Sequence, residues 1–456
     1  MPTRVLVPSG VLGLGFDREA LARGIAARPD IIAIDGGSTD SGPYSLGAGV
    51  SKYSRAATKS EWRQLMLARA EAGVPLLIGT AGTCGTDTTV DWMAEITREL
   101  ARELGQAPKL ALLYASQPQG RIAAALREGR VTPLAPAPAI DADSVLGLSN
   151  VVALAGAEQV QAALQTGAEI VICGRTTDTA TIAALPLLRG DHAGAAWHGA
   201  KIAECGALCS TNPTSGVILV EFDETGFTVE PLAANASCTP HSVSAHMLYE
   251  NSDPFVLYEP GGRLDVREAR YRALDERRVR VEGSRWVPGP YTVKLEGARI
   301  AGYQTTILAI LRNTGYVTRA RAWVEKLSAF LQGEIETRMG LRPGAYHLDF
   351  RLIGIDAALG ALENREGAPG EVGVLGIVTA ETQETAAEIG RLINPFVLHY
   401  PLTENEELPT FSFPYSPATT DRGPLYEFAL NHVMALDDPM AAFRLEVEEV
   451  GSAALV

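Results

Sequence analysis

Two stretches of glycine, threonine and aspartate follow directly on apolar runs: Leu76-Leu-Ile-Gly79-Thr-Ala-Gly82-Thr83-Cys84-Gly85-Thr86-Asp87 and Glu169-Ile-Val-Ile-Cys173-Gly174-Arg175-Thr176-Thr-Asp178. An apolar run that stops at such a loop, with a helical pattern after it, puts the loop at the carboxyl edge of a parallel sheet. Amides, hydroxyls and helix N-termini converge on a ligand there. The chain is therefore expected to handle a small anionic molecule. In the first loop Gly82 and Gly85 let the backbone approach an anion and Thr83 and Thr86 offer hydroxyls, while a helix opening near Asp87 presents its positive end. The same residues would also make an ordinary capped turn. The lysine of a GxxxxGK[ST] loop is missing, which argues against ATP hydrolysis.

Cys84 stands just ahead of that helix, where the dipole lowers a thiol pKa, and is a candidate nucleophile; the competing reading is a small packed side chain. In the second loop Gly174 and Thr176 flank Arg175, whose planar fork suits a carboxylate or phosphate. Asp178 is placed to orient Arg175, to act as a base or to cap the next helix. Asp35 and Asp40, in Asp35-Gly-Gly-Ser-Thr-Asp40, would serve as acid and base if they approach each other, since a close pair pushes its two pKa values apart; solvated loop carboxylates are the alternative. His241 and His198 lie in Gly/Ser/Thr/Pro contexts suited to site loops. His241 is a candidate acid or base.

No metal or cofactor is expected. His241 and His246 are five apart, off the i,i+4 spacing of a helical metal pair, and no CxxC pair occurs. No GxGxxG follows a strand with an acidic residue about 20 positions on, so a dinucleotide is disfavoured. The five cysteines (84, 173, 205, 209, 238) are scattered and odd in number, which fits a reducing compartment.

The elements that must position these groups follow from the apolar pattern. Runs at 5–7, 31–34, 76–78, 110–114, 151–154 and 170–173 alternate with helical stretches at 18–28, 61–71, 87–104, 120–128 and 159–166. Near-continuous hydrophobic strands separated by helices predict a parallel sheet covered on both faces, a Rossmann-like α/β domain over residues 1–215. Residues 216–300 read as a β-rich extension that caps one end of it, beginning with a hairpin at 217–230 and continuing through 278–286 and 291–295. From residue 301 to 456 the order is strand (303–312), helix (316–332), strand (346–354), strand (372–379), helix (381–393), strand (396–400). That βαββαβ sequence predicts a ferredoxin-like α+β domain, with a loop at Gly367-Ala-Pro-Gly370 and a C-terminal helix at 425–436.

With 456 residues, of which 46% are hydrophobic and 20% charged, the chain is expected to form two or three domains around a large interior. The net charge of −15, with no lysine or arginine block, excludes nucleic acid and anionic membrane surfaces as partners. No 18-residue apolar run and no basic-then-apolar leader is present, so a cytoplasmic location is expected.

Four segments, Val171-Ile-Cys-Gly-Arg-Thr-Thr-Asp178, Ala203-Glu-Cys-Gly206, Met247-Leu-Tyr-Glu-Asn-Ser-Asp-Pro254 and Pro290-Tyr-Thr-Val-Lys-Leu295, together resemble the acyclic terpene utilisation (AtuA-like) family. The resemblance covers most of residues 70–310. It departs at Pro8-Ser-Gly-Val-Leu-Gly-Leu-Gly15, where the family opens with a Gly-Ala-Gly-rich turn, which marks a divergent member. It implies a bacterial catabolic role in terpenoid or branched-chain acyl-CoA degradation. The residues themselves point to a lyase (hydratase or dehydratase) or isomerase acting beside a carboxylate or thioester carbonyl. Arg175 would grip the anion, and Asp35, Asp178 or His241 would move the proton. A cysteine-dependent hydrolase using Cys84, or a non-catalytic metabolite-binding subunit, are the alternatives. Apolar residues on both faces of the strands at 303–311 and 347–355 predict a homo-oligomer.

Overall fold

The computed structural model describes residues 2–367 and 369–451; Ala368, in the loop expected at 367–370, and residues 452–456, at the end of the third expected domain, lie outside them. The chain divides into two compact units, Met1–Arg299 with Phe428–Val456, and Ile300–Glu427.

In the first unit the described residues form a mixed sheet of ten strands. Its centre is parallel, in the order Thr3–Val7, Ile31–Asp35, Leu76–Gly79, Ile170–Cys173, Lys109–Tyr114, with Val5 opposite Ile31, Ile34 opposite Ile78 and Ile78 opposite Ile172. Alternate side chains along each strand enter opposite cores, as the two-residue period requires. Val5, Ile31, Leu77 and Val171 meet Ala180, Ile182 and Trp197 on one face, while Leu6, Ile32, Ile78 and Ile172 meet Trp62, Leu65, Val90 and Met93 on the other. Both faces are thus covered by helices, which explains why the strands are apolar at every position.

Antiparallel strands extend this sheet at both edges. The hairpin Ile218–Phe222 and Gly226–Pro231 pairs through its first strand with Thr3–Val7, and Val279–Glu282 and Arg270–Ala273 follow it outward. The hairpin that opens the expected β-rich extension thus continues the sheet at this edge. At the other edge Arg444–Glu449 pairs with Lys109–Tyr114. The apolar run at 151–154 is also corrected: Asn150–Ala153 is a strand, but it pairs antiparallel with residues 295–298 outside the ten-stranded sheet. A local apolar run specifies a strand without specifying its partner.

In the second unit the strand order is Tyr346–Ile353, Val372–Ala380, then the parts of Thr292–Leu311 and Thr419–Ala435 that fall within residues 300–427. The helices Ala320–Met339 and Gln383–His399 share one core with Ile307, Leu311, Val374 and Val378, to which they contribute Trp323, Leu327, Ile389 and Ile393. Two expectations fail here. Residues 396–400 do not form a strand, because the helix runs through Pro395 to His399. Residues 425–436 are not helical but lie in the strand Thr419–Ala435, where Met434 stands opposite Val131 within the first unit. No helix among the described residues is long and apolar enough to cross a membrane.

Candidate functional site

The strands ending at Asp35, Gly79 and Cys173 are neighbours, so the loops that follow them meet. Their backbones are laced together: Gly36 N donates to Gly79 O at 2.8 Å, Thr83 N to Gly36 O at 3.0 Å, Thr80 N to Gly174 O at 3.0 Å and Arg175 N to Gly85 O at 2.9 Å. This contact dictates the glycines. A Cβ on Gly36 would stand 2.5 Å from Thr80 O, and one on Gly85, where φ is +61°, would stand 2.2 Å from Arg175 N. Glycine here allows loop to press on loop.

Most of the first loop consequently faces protein. Gly82 takes φ +64° against Thr89, and Thr83 Oγ1 accepts from Lys52 N at 3.2 Å. Thr86 precedes the helix Asp87–Leu104 and places its hydroxyl 2.9 Å from that of Thr88. Asp87 Oδ1 accepts from Ser116 N at 3.0 Å. Cys84 is 0% exposed, packed with Leu46, Val152 and Ala298 and with its sulfur among Thr86, Thr89 and Val50 O. In the second loop Gly174 N donates to Leu113 O, and Thr176 Oγ1 lies 3.3 Å from Thr80 Oγ1. His241 is exposed on the short helix Pro240–Ala245. His198 is buried between Ser284 Oγ at 2.7 Å and the Tyr271 hydroxyl at 3.2 Å, and burial holds it down at about 3. None of these side chains lines the cleft described next.

Arg175 is the buried hub of the second loop. Its Nε and Nη2 donate to Glu296 Oε2 and Oε1 at 3.1 and 3.4 Å, and its Nη1 lies 3.7 Å from Asp178 Oδ1. Glu296 also takes Lys294 Nζ at 2.8 Å and the Thr39 hydroxyl at 3.2 Å. Burial works to raise the Glu296 carboxyl, but Arg175 and Lys294 outweigh it and hold it at about 2. The fork is thus occupied by the protein's own carboxylate, and Arg175 reaches the cleft through its charge.

The cleft, about 650 Å³ in volume, opens beside this hub. Asp35 and Asp178 both line it. Asp35 is 7% exposed; its Oδ2 accepts from Gly37 N at 3.0 Å, while its Oδ1 has no hydrogen-bond partner. Burial, and then the negative charge of Asp178, push the Asp35 carboxyl well above the usual range against the pull of Arg175. Asp178, the first residue of the helix Asp178–Arg189, is also raised by burial, but the adjacent guanidinium opposes this most strongly. Two carboxyl groups of one cleft are thus both raised by burial, and the guanidinium of Arg175 is the largest opposing influence on Asp178 while on Asp35 it comes after the charge of Asp178.

More of the wall comes from Cys205, one of the five scattered cysteines, and from residues that the sequence reasoning did not single out individually: Tyr53, Lys52, Glu204, Tyr249 and Glu250, with Val11, Leu14 and Leu208 adding apolar surface. Lys201 and Glu204 are buried in direct contact at the end of the helix Ala193–Ala203. The sequence does carry a signal for them, two opposite charges three apart closing an otherwise apolar helix. Among the described residues no group of three His, Cys, Asp or Glu side chains is arranged to hold a metal ion.

The family model for the acyclic terpene utilisation family protein AtuA matches residues 55–410, more than half of the chain. The chain belongs to this AtuA family. The matched span contains Arg175, Asp178, Glu204 and Glu296, and Asp35 and Tyr53 precede it. No curated protein and no solved structure matches the chain.

Proposed function

We propose that this AtuA family member is a cytoplasmic enzyme of acyclic terpene utilisation, acting on an acyl-CoA thioester or a small carboxylate. It would be a lyase or isomerase working by general acid–base catalysis without a cofactor. The observation that carries this reading is the Asp35 carboxyl, buried at the cleft with one oxygen unpaired, in the company of Asp178 and Arg175. A carboxylic acid held neutral by burial donates a hydrogen bond to a carbonyl oxygen, while a neighbouring carboxylate removes the adjacent C–H proton. Asp35 takes the first role and Asp178, stabilised as an anion by Arg175, the second. The thioester is the better supported substrate class. With Asp35 and Glu204 protonated, the carboxylates of Asp40, Asp178 and Glu250 still face, among the described lining residues, one ammonium, that of Lys52, which disfavours a free carboxylate.

The parallel strands with helices on both faces support a Rossmann-like reading of the first unit, and the strand order within residues 300–427 supports a ferredoxin-like reading of the second. The sheet face of the second unit turned away from its helices carries Leu308, Ile310, Ile353, Leu375 and Ile377, half-buried or exposed, which supports a homo-oligomer testable by light scattering.

The test of the chemistry is exchange. Methyl-branched acyl thioesters incubated with the protein in D2O should gain deuterium at the carbon next to the carbonyl. Asp35→Asn or Asp178→Asn should slow this by about 100-fold or more. No exchange with any thioester, or exchange by the Asp178→Asn protein at the parent rate, would overturn the reading.

A further inference from the structure

We infer that Glu204 is a second catalytic residue of this cleft, the acid that releases a departing hydroxyl as water, and that Lys201 is its positioning residue. The inference rests on the acid–base reading above and narrows it to elimination and addition of water at a 3-hydroxyacyl thioester.

Glu204 follows the last turn of the helix Ala193–Ala203, with its backbone N–H bonded to Ala200 O, and its side chain lines the same cleft as Asp35 and Asp178. It is a costly residue for that place. Burying an acid and a lysine together costs desolvation that apolar side chains in their place would avoid. Yet Glu204 and Lys201 are both buried and in direct contact. Lys201 is fixed in turn by the Tyr249 ring, 5.8 Å from its Nζ, and that ring stacks on His246 at 5.4 Å. An acid and an ammonium group buried together at such expense in a cleft wall fit a functional demand.

The surroundings select the atom that Glu204 serves. Cys205, the next residue, and Tyr249 and Glu250 line the same cleft, polar side chains able to hold a departing water molecule beside Glu204. In the elimination, the Asp178 carboxylate takes the proton from C2, and the C–H electron pair becomes the C2–C3 double bond. The C3–O bond breaks and its electron pair takes the proton of the Glu204 carboxyl, giving an enoyl thioester and water. Asp178 ends protonated and Glu204 ionised, and solvent resets both. Burial raises the Glu204 carboxyl to about 8 even against Lys201, with Asp178 and Glu259 adding to the rise, so the proton is present at neutral pH.

The experiment compares C2 deuterium exchange with enoyl formation, using the N-acetylcysteamine thioester of a methyl-branched 3-hydroxy acid. Parent protein should do both. Glu204→Gln should lose elimination by about 100-fold while exchange stays within about threefold. Lys201→Gln should move the alkaline limb of elimination to higher pH. If Glu204→Gln fails to fold, the doubly neutral Lys201→Gln/Glu204→Gln protein leaves no unpaired charge and should show the same split. Elimination by a Glu204→Gln protein at the parent rate, or exchange by the parent without elimination, overturns this inference and spares the base assignment; absence of exchange overturns both.

Discussion

Arg175 and Glu296, 121 residues apart, close on each other as a two-pronged ion pair, Nε to Oε2 at 3.1 Å and Nη2 to Oε1 at 3.4 Å, with both residues 6% exposed. The pair joins the loop after the strand Ile170–Cys173 to the strand Thr292–Leu311, and it brings a fixed positive charge beside Asp178 without spending that charge on a ligand.

Removing one member of such a pair leaves the other charged in the interior. Arg175→Ala should therefore lose about 3 kcal/mol of stability, the lower end of the range for broken buried pairs, because Lys294 still reaches Glu296. Arg175→Met with Glu296→Leu should recover most of the loss. Urea unfolding of the three proteins checks this, and a single variant as stable as the parent would show the pair to be dispensable.

Stability should depend on pH through Glu259. Its Oε1 accepts from Thr179, its Oε2 has no partner, and burial raises it to about 7. Below the usual glutamate pKa both folded and unfolded chains carry the proton. As pH rises from there towards 7 the unfolded chain ionises first, so stability falls. Glu259→Gln keeps an acceptor for Thr179 and removes the titration. Relative to the parent it should gain about 3 kcal/mol between pH 4.5 and pH 7. Denaturant midpoints across that range measure the difference, and parallel curves would contradict it.

Glycines of equal backbone conformation should differ sharply in tolerance. Gly85 (φ +61°) faces the Arg175 backbone, whereas at Gly105 (φ +64°), which ends the helix Asp87–Leu104, an added Cβ would meet nothing within 4 Å. Gly105→Ala should cost about 1 kcal/mol, the left-handed penalty alone. Gly85→Ala adds overpacking that backbone cannot relieve and should cost about 3 kcal/mol. Equal thermal shifts for the two would mean that the loops can separate.

The strands ending at Gly79 and Cys173 are legible in the sequence because their residues are apolar at every position, and only a sheet covered on both faces asks for that. Arg175 and Asp178 stand out because they follow the second of these strands, and Asp35 because it ends the similarly apolar strand Ile31–Asp35. Glu296 does not, since nothing near it in the chain distinguishes it from a solvated strand residue; its partner is specified only by the fold. The stretch 425–436 has apolar spacing compatible with either helix or strand, and its strand state depends on pairing with residues 131–133. The helix through Pro395 escapes a sequence reading because proline usually ends a helix; here Pro395 lies on the exposed side of Gln383–His399.

Thiol labelling separates the acid–base reading from a cysteine hydrolase. Cys84 is fully buried under Leu46 and Val152, whereas Cys205 is half-buried in the cleft wall beside Glu204. Burial, with the negative charge of Glu204 added, raises the Cys205 thiol, so its reaction should be slow as well as selective. Iodoacetamide at pH 8 should modify Cys205 first in native protein and reach Cys84 only after unfolding, as read by peptide mass spectrometry. Preoccupying the cleft with a methyl-branched acyl thioester should protect Cys205. Rapid labelling of Cys84 in the folded chain, suppressed by the same thioester, would instead revive the nucleophile and move the reacting centre from Asp35 and Asp178 to the loop of residues 80–86.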